Sequence, residues 1–146
     1  MTVTNGDNLA DLVSLKDRFP LIKTWVLAKQ VNQSQIKNYG LTKPSSSLIE
    51  RVQDKFTKCL VGVQILQRNY ITTGSSYDIK DAPTIKEVIN LTDQVISWPD
   101  RLVELEVWSN LAVLACKAGQ TENLRYAHSK ALETLSYFEK KKNENR

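Results

Sequence analysis

At 146 residues, with hydrophobic residues at 41% and charged residues at 25%, the chain has the length and composition of one soluble globular domain, which excludes a disordered protein. Its net charge of +4 is modest, and basic residues alternate with acidic ones, as in Arg51, Lys55 and Lys58 beside Glu50 and Asp54. Because a nucleic-acid-binding domain usually concentrates its Lys and Arg residues on one face, this distribution disfavours nucleic acid as a partner.

The N-terminal third of the chain predicts two short helices followed by a loop. Apolar residues at helical spacing favour a first helix over 7–19, and Pro20 ends it because proline lacks the amide hydrogen that a continuing helix needs. A second short helix is predicted over 21–31. The polar segment 32–46 contains glycine and proline and predicts a loop. Residues 1–6 are expected to form a flexible end.

The longest predicted helix covers residues 48–70. Ser47 and Glu50 have the spacing of a capping box, in which each side chain accepts a hydrogen bond from a backbone amide at the helix start. Gly62 interrupts the interior of this helix and would let a neighbouring helix approach closely. The apolar side chains repeat every three or four residues and predict a seam that packs inside a helical bundle rather than against another chain. The seam consists of Val52, Phe56, Cys59, Val63, Leu66 and Tyr70.

The C-terminal half predicts three more helices and contains no strand pattern. Residues 72–82 are rich in turn formers and predict a connecting loop. Ser97 and Asp100 form a second capping-box pattern, and Gly119 is the glycine expected just after a helix. These start and stop signals divide the remaining apolar, periodic sequence into helices over 85–96, 98–118 and 121–140.

Together these patterns predict an all-α fold. The expected architecture is an antiparallel helix bundle or a short α-solenoid of about five to six helices. Residues 1–146 are expected to form a single helical domain, because the chain is too short to bury two separate cores. Residues 141–146 are expected to form a second flexible end.

The sequence contains no pattern of catalytic or metal-binding residues. There is one histidine, His128, and no motif for binding nucleotide phosphates or for zinc peptidase or serine hydrolase chemistry. Cys59 and Cys116 do not have zinc-ligand spacing, and both are predicted to be small buried hydrophobic residues. Glu104 and Glu106 are predicted to be ordinary surface charges. We therefore expect a non-enzymatic protein that needs no cofactor and no metal ion.

Residues 108–132 pair large and small side chains at helical spacing across a short turn that contains Gly119. This pattern resembles one degenerate tetratricopeptide repeat, covering about residues 106–136. Ser136 stands where the family has proline, and His128 stands where it has an aromatic residue. The residues that match the repeat pattern are Trp108, Leu111, Ala112, Gly119, Ala131 and Leu132.

The resemblance implies a scaffold or adaptor that binds another protein. In the tetratricopeptide family the outward face of each first helix lines a peptide groove. The corresponding positions are Glu106, Ser109, Val113, Cys116 and Lys117, which are predicted to bind the partner. Because such degenerate repeats occur in long scaffolds, a fragment of a cytoskeletal or ciliary assembly protein is one interpretation. The polar N-terminal sequence has no signal-peptide pattern, and no apolar stretch is long enough to span a bilayer, so a cytoplasmic location without a transmembrane segment is expected.

A second hypothesis remains open from the sequence. A compact helical bundle could bind nucleic acid or another acidic surface through its basic helices and through the lysines at 140–142. Salt separates the two hypotheses, because electrostatic binding weakens steeply as ionic strength rises, whereas binding in a peptide groove responds weakly.

Overall fold

The computed structural model describes residues 21–37, 52–73 and 83–144. Within these ranges the chain forms six α-helices and no strand, which confirms the all-α prediction. The helices are α1 (Leu21–Ala28), α2 (Gln33–Lys37), α3 (Lys55–Thr73), α4 (Ile85–Asp93), α5 (Arg101–Lys117) and α6 (Thr121–Glu144). The predicted helix over 7–19 and the capping box at 47–50 lie outside the described residues. So do the predicted flexible ends, except for residues 141–144, which belong to α6.

Helix α3 forms the centre of the bundle. Helices α1, α2, α4 and α5 all pack against it. Its buried side chains lie around most of the helix circumference rather than along one stripe, as expected for a helix with neighbours on several sides. The predicted burial of the seam is confirmed for Phe56, Cys59, Val63 and Leu66, and Val52 is half-buried. Other fully buried residues of α3 are Leu60, Val61 and Ile65.

Helix α3 begins later and ends later than the sequence predicted. Residues 52–54 are not helical, and Asp54 caps the helix. The Asp54 carboxylate accepts hydrogen bonds from the backbone N of Thr57 at 2.9 Å and from its hydroxyl at 2.7 Å. Burial by itself would raise the pKa of Asp54, but these bonds and the nearby Lys29 charge lower it below its usual value. The helix continues to Thr73, so the predicted connecting loop over 72–82 is wrong for its first two residues.

Helix α4 lies unusually close to α3 at Gly62. A Cβ atom placed on Gly62 would lie 2.8 Å from Cγ2 of Val88, so only glycine fits without a shift. This confirms the predicted close approach of a neighbouring helix. The Thr84 hydroxyl caps α4 by accepting a hydrogen bond from the backbone N of Glu87 at 3.1 Å. The helix ends at Asp93, before the predicted 96, and Ile96 is fully exposed.

Helices α5 and α6 form an antiparallel hairpin with the most extensive helix–helix contact in the described part of the chain. Asp100, rather than the predicted Ser97, caps α5, and its carboxylate accepts a hydrogen bond from the backbone N of Leu102 at 2.8 Å. Gly119 ends α5 with a φ of +71°, as predicted. The backbone N of Gly119 donates to the Cys116 carbonyl and that of Gln120 donates to the Ala115 carbonyl, which is the Schellman arrangement. This turn sets the hairpin geometry.

Helix α1 and the short helix α2 cover one side of α3. The predicted loop over 32–46 contains α2, where the Asn32 side chain accepts a hydrogen bond from the backbone N of Ser34 at 2.7 Å. Ile36 is buried and anchors α2 to the core. Between α1 and α2 the chain reverses through Gln30, whose φ of +63° lies in the left-handed region. This reversal places α1 and α2 beside the same part of α3.

Candidate partner-binding surface

The predicted partner-binding residues lie along one face of α5, but its first member is not exposed. Glu106 is only 8% exposed. Its Oε1 accepts a hydrogen bond from the backbone N of Leu21 at 3.0 Å, and its Oε2 accepts one from Ile22 at 2.9 Å. These amides begin α1 and have no acceptor within that helix. Glu106 therefore fixes α1 on α5. Two predictions for this residue are wrong: Glu106 is not an ordinary surface charge, and it does not line an open groove.

The remaining four predicted residues form an increasingly exposed strip toward the end of α5. Ser109 is half-buried, Val113 is 49% exposed, and Cys116 and Lys117 are exposed. Residues three, four and seven positions apart share one face of an α-helix, so the strip is continuous. We call Ser109, Val113, Cys116 and Lys117 the α5 strip. Its role in binding a partner stays a prediction.

The two cysteines have different environments. Cys59 is fully buried, as predicted, and its thiol donates a hydrogen bond to the Phe56 carbonyl at 3.1 Å. Burial raises the pKa of the Cys59 thiol to about 12, so it remains protonated at neutral pH. Cys116 is a free, exposed cysteine, so the prediction that it is buried is wrong. The difference arises because Cys116 lies on the exposed face of α5 with Val113 and Lys117, whereas Cys59 lies in the central helix, which has neighbours on several sides.

On another side of α5, aromatic and charged side chains connect α4, α5 and α6. The Trp108 indole N–H donates to Oε2 of Glu104 at 3.4 Å, and the Trp108 ring meets the Tyr126 ring edge-on at 6.0 Å between centroids. The Tyr126 hydroxyl donates to the Asp93 carboxylate. Lys130 Nζ lies 3.9 Å from Oδ1 of Asp93. These contacts fix the position of α6 relative to α4.

The carboxylate of Glu104 lies in a partly dehydrated position within this network. Its side chain is 13% exposed, and Oε1 lies 3.1 Å from Nε of Arg101. Burial raises the pKa of Glu104, although the charge of Arg101 and the hydrogen bond from Trp108 offset part of this effect. The interpretation of Glu104 as an ordinary surface charge is therefore wrong. For Tyr126, the hydrogen bond to Asp93 raises the pKa to about 12, so its hydroxyl acts as a donor at neutral pH.

The sequence interpretation missed two exposed tyrosines on α6. Tyr126 is 42% exposed and Tyr137 is 37% exposed. The Arg101 guanidinium lies 4.6 Å from the centroid of the Tyr137 ring, within the range of a cation–π contact. Tyr126, Lys130, Glu133 and Tyr137 follow one another at intervals of four, three and four residues, which is the sequence signal for a shared helix face. We call these four residues the α6 tyrosine face.

The described residues contain no arrangement that suggests metal chemistry. No group of three or more His, Cys, Asp or Glu side chains within the described ranges is placed to hold a metal ion. His128 lies exposed on α6. No helix in the described parts of the chain is both long and apolar enough to cross a bilayer.

Comparison with known proteins does not assign the chain to a family. No protein-family model matches it. No solved structure shows significant similarity to it.

Proposed function

We propose that this chain is a non-enzymatic helical interaction module that binds another protein on the α5–α6 hairpin. One observation carries the proposal: the exposed large hydrophobic side chains of the described residues are concentrated on this hairpin. Of the six such residues in the described ranges, Leu27 and Ile96 lie outside the hairpin. The four on the hairpin are Val113, Tyr126, Leu132 and Tyr137. Exposed tyrosines favour this interpretation, because tyrosine is enriched at protein interfaces and among the residues that dominate their binding energy.

The rigidity of the hairpin supports the same proposal. Asp100 caps the start of α5, and the turn at Gly119 satisfies carbonyl groups at its end. Asp93 holds the hydroxyl of Tyr126, and Arg101 lies over the ring of Tyr137. Because these contacts limit side-chain movement before binding, less conformational entropy is lost when a partner docks.

The partner surface that we propose has two parts. The α5 strip supplies Val113, flanked by the exposed Cys116 and Lys117. The α6 tyrosine face supplies two aromatic rings together with charged side chains at its rim. The tetratricopeptide resemblance of this hairpin extends the proposal to an adaptor or scaffold in a cytoplasmic assembly, with cytoskeletal or ciliary structures as the setting.

Site-specific photo-crosslinking tests where the partner binds. A photoreactive amino acid is placed at Val113 or Tyr137 in the full chain and, as a matched control, at the fully exposed Ile96 outside the hairpin. We expect one partner protein to crosslink at both hairpin positions, and excess unlabelled chain to compete with it. Equal crosslinking at Ile96, or none at either hairpin position, would contradict the proposed surface.

Salt dependence tests the second hypothesis with the same protein. Binding to nucleic acid through several phosphate contacts weakens by orders of magnitude between about 50 and 200 mM salt. We expect the crosslinked complex to persist across this range, because contacts through aromatic and aliphatic side chains are not screened. A complex that forms only with nucleic acid and dissociates steeply with salt would favour the second hypothesis instead.

A further inference from the structure

A polar pocket lies between α1, α2 and α3. Its volume is about 350 Å³. Helix α1 contributes Lys23, α2 contributes Gln33 and Ser34, and α3 contributes Gln64, Gln67 and Arg68. None of these residues belongs to the α5 strip or to the α6 tyrosine face. We call this cavity the glutamine pocket.

The glutamine pocket has positive charge that the described protein does not neutralise. Lys23 and Arg68 line it, and no acidic residue is among its described lining residues. None of the ion pairs within the described ranges involves either of these two cations. The Nε atom of Arg68 is buried and has no hydrogen-bond partner. Because buried donors are normally paired, this guanidinium keeps hydrogen-bonding capacity that the described protein does not use, and its side chain lines the pocket.

The neutral residues of the pocket add hydrogen-bond donors. Gln33 Nε2 donates to Oε1 of Gln64 at 3.2 Å, which fixes the orientation of the Gln64 amide and leaves its NH₂ group unused by this bond. Gln67 and the Ser34 hydroxyl supply further polar groups. The buried Ile36 forms part of the lining and attaches α2 to the core. The pocket therefore combines two cations with several neutral donors, and the buried Ile36 holds α2 in place beside them.

A second pocket nearby has a different charge pattern. It has a volume of about 330 Å³, and its lining includes Lys29 and Asp54. There the positive charge is balanced by the Asp54 carboxylate, which already accepts two hydrogen bonds from Thr57. Of these two pockets, the glutamine pocket is the one with cations and no carboxylate among its described lining residues.

We propose that the glutamine pocket binds the phosphate group of a small phosphomonoester. A phosphomonoester carries between about −1.5 and −2 charges at pH 7, which matches the two cations better than a monovalent carboxylate does. The planar guanidinium of Arg68 suits phosphate oxygens, because its N–H groups can bind two of them at once. Small-molecule pockets range from about 300 to 1,000 Å³, so this volume leaves room for a small substituent beside the phosphate.

Isothermal titration calorimetry on the full chain at constant ionic strength tests this proposal. The titrants are inorganic phosphate, glycerol 3-phosphate, acetate and glycerol. We expect saturable binding of both phosphate compounds with no binding of glycerol, and tighter binding of glycerol 3-phosphate if the substituent also occupies the pocket. No saturable binding of phosphate up to about 10 mM, or equal binding of acetate, would overturn the proposal.

Charge-removing variants locate the binding site. Arg68→Gln should weaken phosphate binding by about tenfold or more, since it removes charge-assisted hydrogen bonds. Lys23→Gln provides a second variant at an exposed position, where folding does not depend on the side chain. The matched controls Arg125→Gln and Lys86→Gln remove exposed charges from α6 and α4 and should change the Kd by less than about twofold. Unchanged binding in both pocket variants, or equal weakening in the controls, would refute the assignment.

Discussion

Replacing Gly62 with alanine tests the close packing of α3 against α4. The added Cβ would lie 2.8 Å from Cγ2 of Val88 and 3.4 Å from its Cγ1, and the first distance is shorter than real Cβ contacts allow. Val88 is fully buried. Its branched side chain has one strongly preferred rotamer in a helix, so it has little freedom to rotate away. The two helices must therefore move apart to accept the methyl group.

Two opposing effects set the size of the change in stability. Alanine is favoured over glycine in a helix interior by about 0.8–1.0 kcal/mol. Added methyl groups in a well-packed core cost about 1–3 kcal/mol. Gly62→Ala should therefore lower the free energy of unfolding by about 0–2 kcal/mol, whereas it would raise that energy by about 1 kcal/mol if the helices were not in contact.

A double-mutant cycle with Val88→Ala separates the two effects. Val88→Ala alone should cost about 2–3 kcal/mol, because it removes two buried methyl groups and leaves a cavity. In that background the nearest neighbour of the new Cβ of residue 62 would be the Cβ of residue 88, at 3.7 Å, which is an ordinary contact. Gly62→Ala should then raise the free energy of unfolding by up to about 1 kcal/mol.

Urea denaturation of the four proteins measures this cycle, and the sign of the coupling decides the result. We expect Gly62→Ala to be neutral or destabilising in the original chain and stabilising when Val88 is replaced. If Gly62→Ala stabilises both backgrounds equally by about 1 kcal/mol, α3 and α4 do not approach closely at this position, and the reasoning is refuted.

Three further predictions concern the core, the cysteines and the pH dependence. Phe56→Ala should destabilise the chain by about 3–5 kcal/mol in thermal unfolding, because its buried ring lies between two tryptophans; a nearly unchanged melting temperature would contradict its place in the core. Native iodoacetamide labelling should modify Cys116 and leave Cys59 unmodified until the chain unfolds; equal labelling rates would contradict the burial of Cys59. The pKa of Glu104 is higher in the folded chain than in the unfolded chain, so the folded chain binds this proton more tightly. The stability that Glu104 contributes should therefore be present at low pH and decrease as pH rises from its pKa in the unfolded chain through its pKa in the folded chain. Glu104→Gln should remove this decrease in urea denaturation measured between pH 4 and pH 7, and an identical pH profile in the variant would count against the burial of Glu104.

The exposed residues of the candidate surface were partly predictable. The positions of Val113, Cys116 and Lys117 follow from the helical register set by Trp108, and all three are exposed. The register also selected Glu106, which is buried because α1 lies across it. Helical periodicity identifies residues on a common face, but it does not show which part of that face another helix covers.

Helix boundaries show a similar limit. Ser97 and Asp100 are both suitable N-cap residues, so the local sequence does not choose between them. In the structure Trp98 is half-buried, and its ring meets the Phe56 ring edge-on at 5.6 Å. This contact holds Trp98 outside the helix, so α5 begins after it and Asp100 rather than Ser97 is the N-cap residue. Packing between distant segments therefore decides where α5 begins.

The all-α class, the main helices, the burial of the long helix's seam inside a bundle and the roles of Gly62 and Gly119 were predictable from local sequence. These features depend on residues within a few turns of one another, where periodicity and backbone freedom act directly. Two features are evident only in the folded chain. Glu106 binds the start of α1, 84 and 85 residues away along the chain, and Lys23 and Arg68 share a pocket. Local patterns contain no information about such pairs, because their energies depend on which distant segments meet and on how much water the contact removes.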